Sequence, residues 1–189
     1  WGPTYLIRTF GYPRPEAGWT FGVVMIVAGT AGLLLAGTLA DAWMKRGTID
    51  AYVRTILLSI VGLLPCALVL GFATSDVVGI SAIALAVFFS AFQGGLSGGT
   101  LQLMTPNRMR GQAVAVFQLF ANLIGLALGP TVVAMTTDYV FGYDEAIGKS
   151  IALSAAILCP LGGIILWRSL ASIRSELEAQ SAIDGQTQH

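Results

Sequence analysis

Residues 52–72 read YVRTILLSIVGLLPCALVLGF, and no charged residue occurs from Thr55 to Ser75. A helix needs about 20 predominantly apolar residues to cross the hydrocarbon core of a bilayer. This stretch is long enough, and its apolar residues would lie on every side of a helix. Such a helix is stable only in hydrocarbon or within a large core. The stretch therefore predicts a membrane-spanning helix.

Similar stretches lie on both sides of this one, and none carries a charged side chain in its middle. The predicted spans are residues 17–40, 52–72, 77–104, 112–137 and 147–167. Residues 1–10 look like the end of a further helix. We expect an all-α polytopic membrane protein with five complete transmembrane helices plus the end of a sixth. The bundle would occupy residues 1–168, and residues 169–189 would form a partly disordered tail.

The composition agrees with this class of protein. Hydrophobic residues make up 55% of the chain and charged residues 11%, whereas a soluble domain carries about 25% charged residues. The formal net charge is zero, and no basic stripe with interleaved aromatic residues is present. Since nucleic-acid binding needs such a basic surface, we expect no nucleic-acid partner.

The basic residues predict the orientation of the spans. Seven of the ten fall in the segments that follow the first span, the third span and the fifth span: Lys45, Arg46, Arg54, Arg108, Arg110, Arg168 and Arg174. Because cytoplasmic loops carry an excess of Lys and Arg, the loops Asp41–Arg54 and Thr105–Gly111 and the tail are predicted to be cytoplasmic. The connection Asp138–Lys149 would be external. We expect an integral protein of a bacterial inner (plasma) membrane.

Catalytic chemistry has little support in the residues. The segment Gly95-Leu96-Ser97-Gly98-Gly99 matches a serine-nucleophile pattern, but a serine nucleophile needs a base. The only histidine is His189 in the tail, and no Lys or acid lies in the middle of a span. Cys66 and Cys159 each lie in an apolar stretch and are interpreted as small buried hydrophobes. We expect no enzyme activity, no metal and no cofactor.

A sequence signature lies at the end of the first span. Residues 37–46 read GTLADAWMKR and resemble the Gly-x-Leu-Ala-Asp-Arg-x-Gly-Arg-Arg signature of the major facilitator superfamily. The matching residues are Gly37, Leu39, Ala40, Asp41, Lys45 and Arg46. Ala42 and Met44 depart from the pattern, and an ordinary charged loop is the alternative interpretation of this segment taken alone.

The resemblance extends over nearly the whole chain up to Arg168. Trp1–Leu6 followed by Glu16-Ala17-Gly18 looks like the exit of helix seven and the entry to helix eight of that superfamily. Asn122–Gly125 with Gly129-Pro130 and Asp138 is similar to helix eleven of its Spinster-like branch and of related branches. The resemblance implies the carboxy-terminal half of a twelve-helix fold, in which the five spans are helices eight to twelve.

This resemblance implies a secondary active transporter of small solutes that works by alternating access. Its partners would be a small-molecule solute, a proton or sodium ion as coupling ion, the lipid bilayer and an amino-terminal six-helix half. A carboxylate at Asp41 could face the amino-terminal end of a nearby helix, whose dipole favours an anion, and so latch one conformation. The alternative is a sensor or scaffold that uses the same bundle without transport.

The candidate solute-binding residues follow from helical spacing. In the superfamily helix ten lines the cavity, so the span 77–104 would do so here. Its polar residues at positions i, i+3, i+7 and i+10 share one face: Ser90, Gln93, Ser97 and Thr100. Gln118 and Asn122 pair likewise on the span 112–137. Uncharged polar residues in a bilayer can also act as hydrogen-bonding glue between helices, so both interpretations stay open.

Overall fold

The computed structural model describes residues 1–48, 50–106, 108–141 and 147–187. Within these ranges the side chains are described except at 95, 98–100, 103–104, 140–141 and 171–187. The elements are α1 (Gly2–Phe10), α2 (Arg14–Lys45), α3 (Ala51–Phe72), α4 (Asp76–Met104), α5 (Arg110–Met135) and α6 (Ile147–Thr187). A π-helical turn at Thr136–Phe141 extends α5. The described part of the chain contains no strand.

Five of these helices are long and apolar enough to cross a membrane. The candidate spans are Arg14–Lys45, Ala51–Phe72, Asp76–Gly94, Arg110–Tyr139 and Ile147–Leu170. They overlap the five stretches predicted from the sequence, so the all-α fold with five spans is confirmed. Of the predicted connection Asp138–Lys149, residues 142–146 lie outside the described ranges.

Two helices extend beyond the predicted ends of their spans. α2 continues to Lys45 and includes a π-helical turn at Met25–Gly29, so most of the signature segment is helical. Gly47, with φ 81°, follows its last turn, and a glycine in this left-handed conformation commonly ends a helix. The backbone of α6 stays helical to Thr187, past the end of the predicted span 147–167.

The bundle is built around α3 and α4. α3 packs most extensively against α4 and α6, and α2 packs along α4. Glycines permit these close approaches: a Cβ on Gly32 would overlap the Phe88 carbonyl of α4, and one on Gly62 would overlap the Phe89 ring. α5 has fewer contacts, and its side chains from 115 to 132 are exposed.

A second dense cluster joins the end of α1 to α3 and α6. Tyr5 is 1% exposed, and its hydroxyl donates a hydrogen bond to the Leu70 carbonyl near the end of α3, at 2.8 Å. A Cβ on Gly148 of α6 would lie 2.6 Å from that same carbonyl oxygen. Phe10 contacts Tyr5 edge-to-face with ring centroids 5.6 Å apart. By the predicted orientation this cluster lies at the external end of the bundle.

Candidate functional site

The predicted polar stripe of α4 lies on a side of the helix that its principal contacts leave free. Phe92 and Leu96 are buried against Ala36 and Ala40 of α2. Three members of the stripe are more exposed than Phe92 and Leu96: Gln93 and Ser97 are half-buried, and Ser90 is exposed. The side chain of the fourth, Thr100, lies outside the described side chains. The stripe is therefore a partly accessible polar surface on an otherwise apolar helix.

Ser90 lies at one end of the stripe and lines a crevice. The crevice has a volume of about 170 Å³ and is bounded by α1, α2, α3, α4 and α6. The α4 residues Ile83, Ala86 and Val87 line it together with Ser90. Ile83, Ala86 and Ser90 precede Gln93 at the same i, i+3, i+7 spacing, so the crevice and the polar stripe share one face of α4.

Gln118 and Asn122, the other predicted polar residues, lie on a different helix and next to a different groove. Gln118 and Asn122 of α5 are exposed. Their stripe continues to Gly125 and Gly129, which line an apolar groove of about 470 Å³ between α5 and α6. The Oγ of Ser154, which lines the opposite wall, is buried and has no hydrogen-bond partner. Asn122 thus lies on the face of α5 that is turned towards α6.

The distance between α5 and α6 differs between the two ends of that groove. Towards the carboxyl end of α5, Val133 is 9% exposed and Thr137 is 3% exposed. The Thr137 Oγ1 lies 2.8 Å from the Ser150 Oγ of α6. A Cβ on Gly125 or Gly129 would meet nothing within 4 Å. α5 and α6 are therefore joined at this end and separated along the rest of the groove.

The signature residues divide into an anchored part and an exposed part. Leu39 and Ala40 pack in the apolar cluster between α2, α3 and α4, and Gly37 is half-buried. Asp41, Lys45 and Arg46 are exposed in the last turn of α2 and just after it. The structure therefore holds the apolar side of the signature in the bundle and leaves its three charges accessible.

The carboxylate of Asp50, close in sequence to the signature, was not predicted as a notable residue from the sequence. Asp50, at the amino-terminal end of α3, is 1% exposed, and its Oδ2 pairs with the Arg54 Nε at 3.0 Å. Its Oδ1 is buried without a hydrogen-bond partner. Spacing of four residues between Asp50 and Arg54 is the available sequence signal, since side chains at i and i+4 are neighbours on a helix. Burial of Asp50 depends on packing that the sequence does not show.

A further polar contact joins the α1–α2 connection to α4 at the other end of the bundle. The Tyr12 hydroxyl donates to the Asp76 Oδ2 at 3.2 Å. Desolvation, this hydrogen bond and the negative charges of Asp76 and Glu16 raise the pKa of Tyr12 above its usual value. Tyr12 is therefore neutral at physiological pH and acts as a hydrogen-bond donor between the α1–α2 connection and the start of α4.

The serine-nucleophile pattern has no catalytic setting in the described part of the chain. Ser97 lies within the helical backbone of α4, not on the strand-to-helix turn that exposes such a nucleophile in hydrolases. His189 lies outside the described residues. Among the described residues, no group of three or more His, Cys, Asp or Glu side chains could hold a metal ion. Cys66 is buried and Cys159 half-buried, and both are free thiols.

Comparison with known proteins indicates which class of protein this chain resembles. The chain matches no family model, and no solved structure matches it. It is 29% identical over 178 residues to a protein of Mycolicibacterium smegmatis described as an MFS-type efflux pump. That similarity covers 93% of this chain and 41% of the relative, so the chain spans about two fifths of the length of the curated relative it matches.

The sequence similarity and the helices support the same assignment. The similarity extends over nearly all of the chain, and the five apolar helices fit part of a major facilitator fold. The signature at Gly37–Arg46 is anchored at the end of the first span, where the resemblance requires it. The chain is thus an integral membrane protein that is similar over 93% of its length to part of a relative described as an MFS-type efflux pump.

Proposed function

We propose that the full-length protein is a secondary active transporter of small solutes that works by alternating access. This chain would supply the carboxy-terminal helix bundle, and an amino-terminal bundle would supply the other half. The similarity to an efflux pump supports a membrane transporter in general terms. The observation that carries the finer proposal is the accessible polar stripe of α4, continuous with a crevice inside the bundle.

In this proposal Gln93 and Ser97 contact the solute, together with Ser90 and Thr100. An amide side chain in hydrocarbon is costly unless it has a partner, so a half-buried Gln93 on the cavity face favours a polar partner there. The cytoplasmic charges of the signature would hold one conformation until the solute binds. We propose a bacterial inner-membrane location with a cytoplasmic tail, since the relative is bacterial and the basic residues are distributed asymmetrically.

The coupling ion would be a proton or sodium. No Asp, Glu, Lys or Arg lies in the middle of a span of this chain. A coupled carboxylate would therefore be contributed by helices of the amino-terminal half. On this account the chain contributes solute contacts and the conformational latch, and it catalyses no chemical step.

The test is counterflow in proteoliposomes that contain the full-length protein. Counterflow of a radiolabelled solute against the same unlabelled solute inside needs no imposed ion gradient, so it works before the coupling ion is known. A panel of sugars, amino acids, organic acids and aromatic alcohols would serve as solutes. We expect protein-dependent accumulation of one class of solute. Saturable binding without counterflow of any bound solute would instead indicate the sensor or scaffold alternative.

A further inference from the structure

The crevice at the outer end of the α4 stripe has the size of a small ring. Its volume is about 170 Å³, and a dry protein cavity of about 150 Å³ binds benzene. Residues from five helices line it, and six of them are Tyr5, Phe21, Ile83, Ala86, Ser90 and Ile151. Five of these six are apolar or aromatic, and Ser90 alone among them has an aliphatic hydroxyl.

Contacts within the protein hold the aromatic walls in place. The Tyr5 hydroxyl is already bonded to the Leu70 carbonyl at 2.8 Å, and Tyr5 borders the crevice with only 1% of its surface exposed. Phe21 lies against Gly2 so closely that a Cβ at Gly2 would overlap its ring. Aromatic rings favour edge-to-face or offset contacts with other rings. A wall with two positioned rings is therefore suited to an aromatic ligand group.

The polarity of the lining limits the charge of the occupant. No charged side chain lines the crevice, and an ionised group moved there would lose its hydration without a counter-ion. The Ser90 hydroxyl can donate and accept one hydrogen bond at the edge. From Ser90 the same face of α4 continues to Gln93 and Ser97, so a polar part of the ligand would find partners along the stripe.

We propose that this crevice binds the uncharged aromatic end of an amphiphilic solute, with the polar part of that solute lying along Gln93 and Ser97. This names the substrate class of the proposed transporter and rests on that function. Sugars and other solutes that are polar all round would not fill the crevice, because they cannot replace water with apolar contacts on its walls.

The test uses the full-length protein in proteoliposomes, with Cys66→Ala and Cys159→Ala as background and Ser90→Cys as the reporter. Benzyl alcohol is the probe, because it is a neutral six-membered aromatic ring with one hydroxyl group. We expect it to slow alkylation of the new thiol by N-ethylmaleimide along a saturable curve. At three times its Kd the slowing would be about fourfold, since the free fraction is 1/(1 + [L]/Kd).

Two further variants separate a bound probe from a general effect of alcohol on the bilayer. Ala86→Leu, combined with the reporter, places extra carbon atoms in the crevice and should weaken protection about tenfold or more. Leu85→Cys places a thiol on a neighbouring side of α4 that is 52% exposed. Alkylation at that position should be unchanged by benzyl alcohol.

Four results would overturn the proposal: no protection at Ser90→Cys, equal protection at Leu85→Cys, protection that Ala86→Leu does not weaken, or a Ser90→Cys thiol that does not react even without probe. The last would mean that other residues of the whole protein fill the space. Counterflow of some solute with no protection at Ser90→Cys would reject the crevice and leave the proposed function intact. Protection with no counterflow of any solute would support the site and reject transport.

Discussion

Tyr5 joins three helices through one side chain, and its contacts could not be predicted from the sequence. Its hydroxyl bonds to a carbonyl 65 residues away, whereas the sequence shows only a tyrosine near the end of a short helix. The carbonyl groups in the last turn of a helix lack partners within that helix, so a donor from another element stabilises the end of α3. Such partners depend on how helices pack, and the local sequence does not encode that.

Replacing Tyr5 measures how much this hydrogen bond contributes to the free energy of unfolding. We expect Tyr5→Phe to lower the free energy of unfolding by about 1–3 kcal/mol, because the Leu70 carbonyl would lose a donor in a buried place. Tyr139→Phe is the matched control, since Tyr139 is 84% exposed and should change stability by about 0.5 kcal/mol or less. Thermal denaturation of the full-length protein compares the two. Equal melting temperatures would argue against the Tyr5 contact.

Gly148 tests the close approach of α3 and α6 at the same cluster. A Cβ there would lie 2.6 Å from the Leu70 oxygen and 2.8 Å from the Tyr5 ring. Gly148→Ala should therefore destabilise the protein by about 1–3 kcal/mol through overpacking. Gly125→Ala meets nothing within 4 Å and should be neutral or slightly stabilising, because alanine favours a helix interior over glycine. If both variants melt alike, the packing of α3 on α6 is not as described.

The Asp41→Asn variant tests the proposal that the charges of the signature hold the protein in one conformation. We expect Asp41→Asn to change the rate of conformational cycling while membrane insertion and yield stay normal. A charge near an exposed helix end contributes about 1 kcal/mol or less, which is little for folding but enough to shift a two-state equilibrium several-fold. Counterflow rate is the measurement, and Glu16→Gln, at an exposed acid in the first turn of α2, is the control. A normal rate in Asp41→Asn would reject the latch.

At the scale of the helices, the sequence predicts which residues share a face better than it predicts what that face contacts. The spacing of Ser90, Gln93 and Ser97 follows from 3.6 residues per turn, and the structure finds them partly accessible on one side of α4. The same spacing aligns Asn122 with Gly125, but the structure turns this stripe towards α6. Both stripes have the same helical periodicity, so periodicity alone could not predict which stripe is accessible and which is turned towards a neighbouring helix.

Alanine replacements separate the two stripes. We expect Gln93→Ala to change solute affinity or preference in the full-length protein with little effect on melting temperature. Asn122→Ala should change stability by about 0.5 kcal/mol or less, because Asn122 is exposed where α5 and α6 are separated, with affinity nearly unchanged. Measuring both properties in both variants provides internal controls. Lowered stability and unchanged affinity in Gln93→Ala would assign Gln93 to packing.

At the scale of the whole molecule, the five spans were predictable because hydrocarbon imposes strict requirements. Backbone polar groups cannot be left unsatisfied in a bilayer, so each long apolar stretch between charged segments has to form a helix. The order of packing was not predictable in the same way. A helix such as α3, apolar all round, has no single stripe that indicates its neighbours, and glycines such as Gly32 and Gly62 show their partners only in the structure.

The central claim is that the polar face of α4 lines a pathway that opens alternately to the two sides of the membrane. Single cysteines in the full-length protein, with Cys66 and Cys159 replaced, can be labelled with a membrane-impermeant maleimide added to one side at a time. Two positions calibrate the sides: Thr48→Cys in the predicted cytoplasmic loop should label only from inside, and Thr74→Cys only from outside. We predict that Gln93→Cys labels from each side, because the proposed transporter would exchange between two open states. Labelling of Gln93→Cys from neither side or from one side alone would contradict alternating access at this face, and labelling of Thr48→Cys and Thr74→Cys from the same side would contradict the five-span fold.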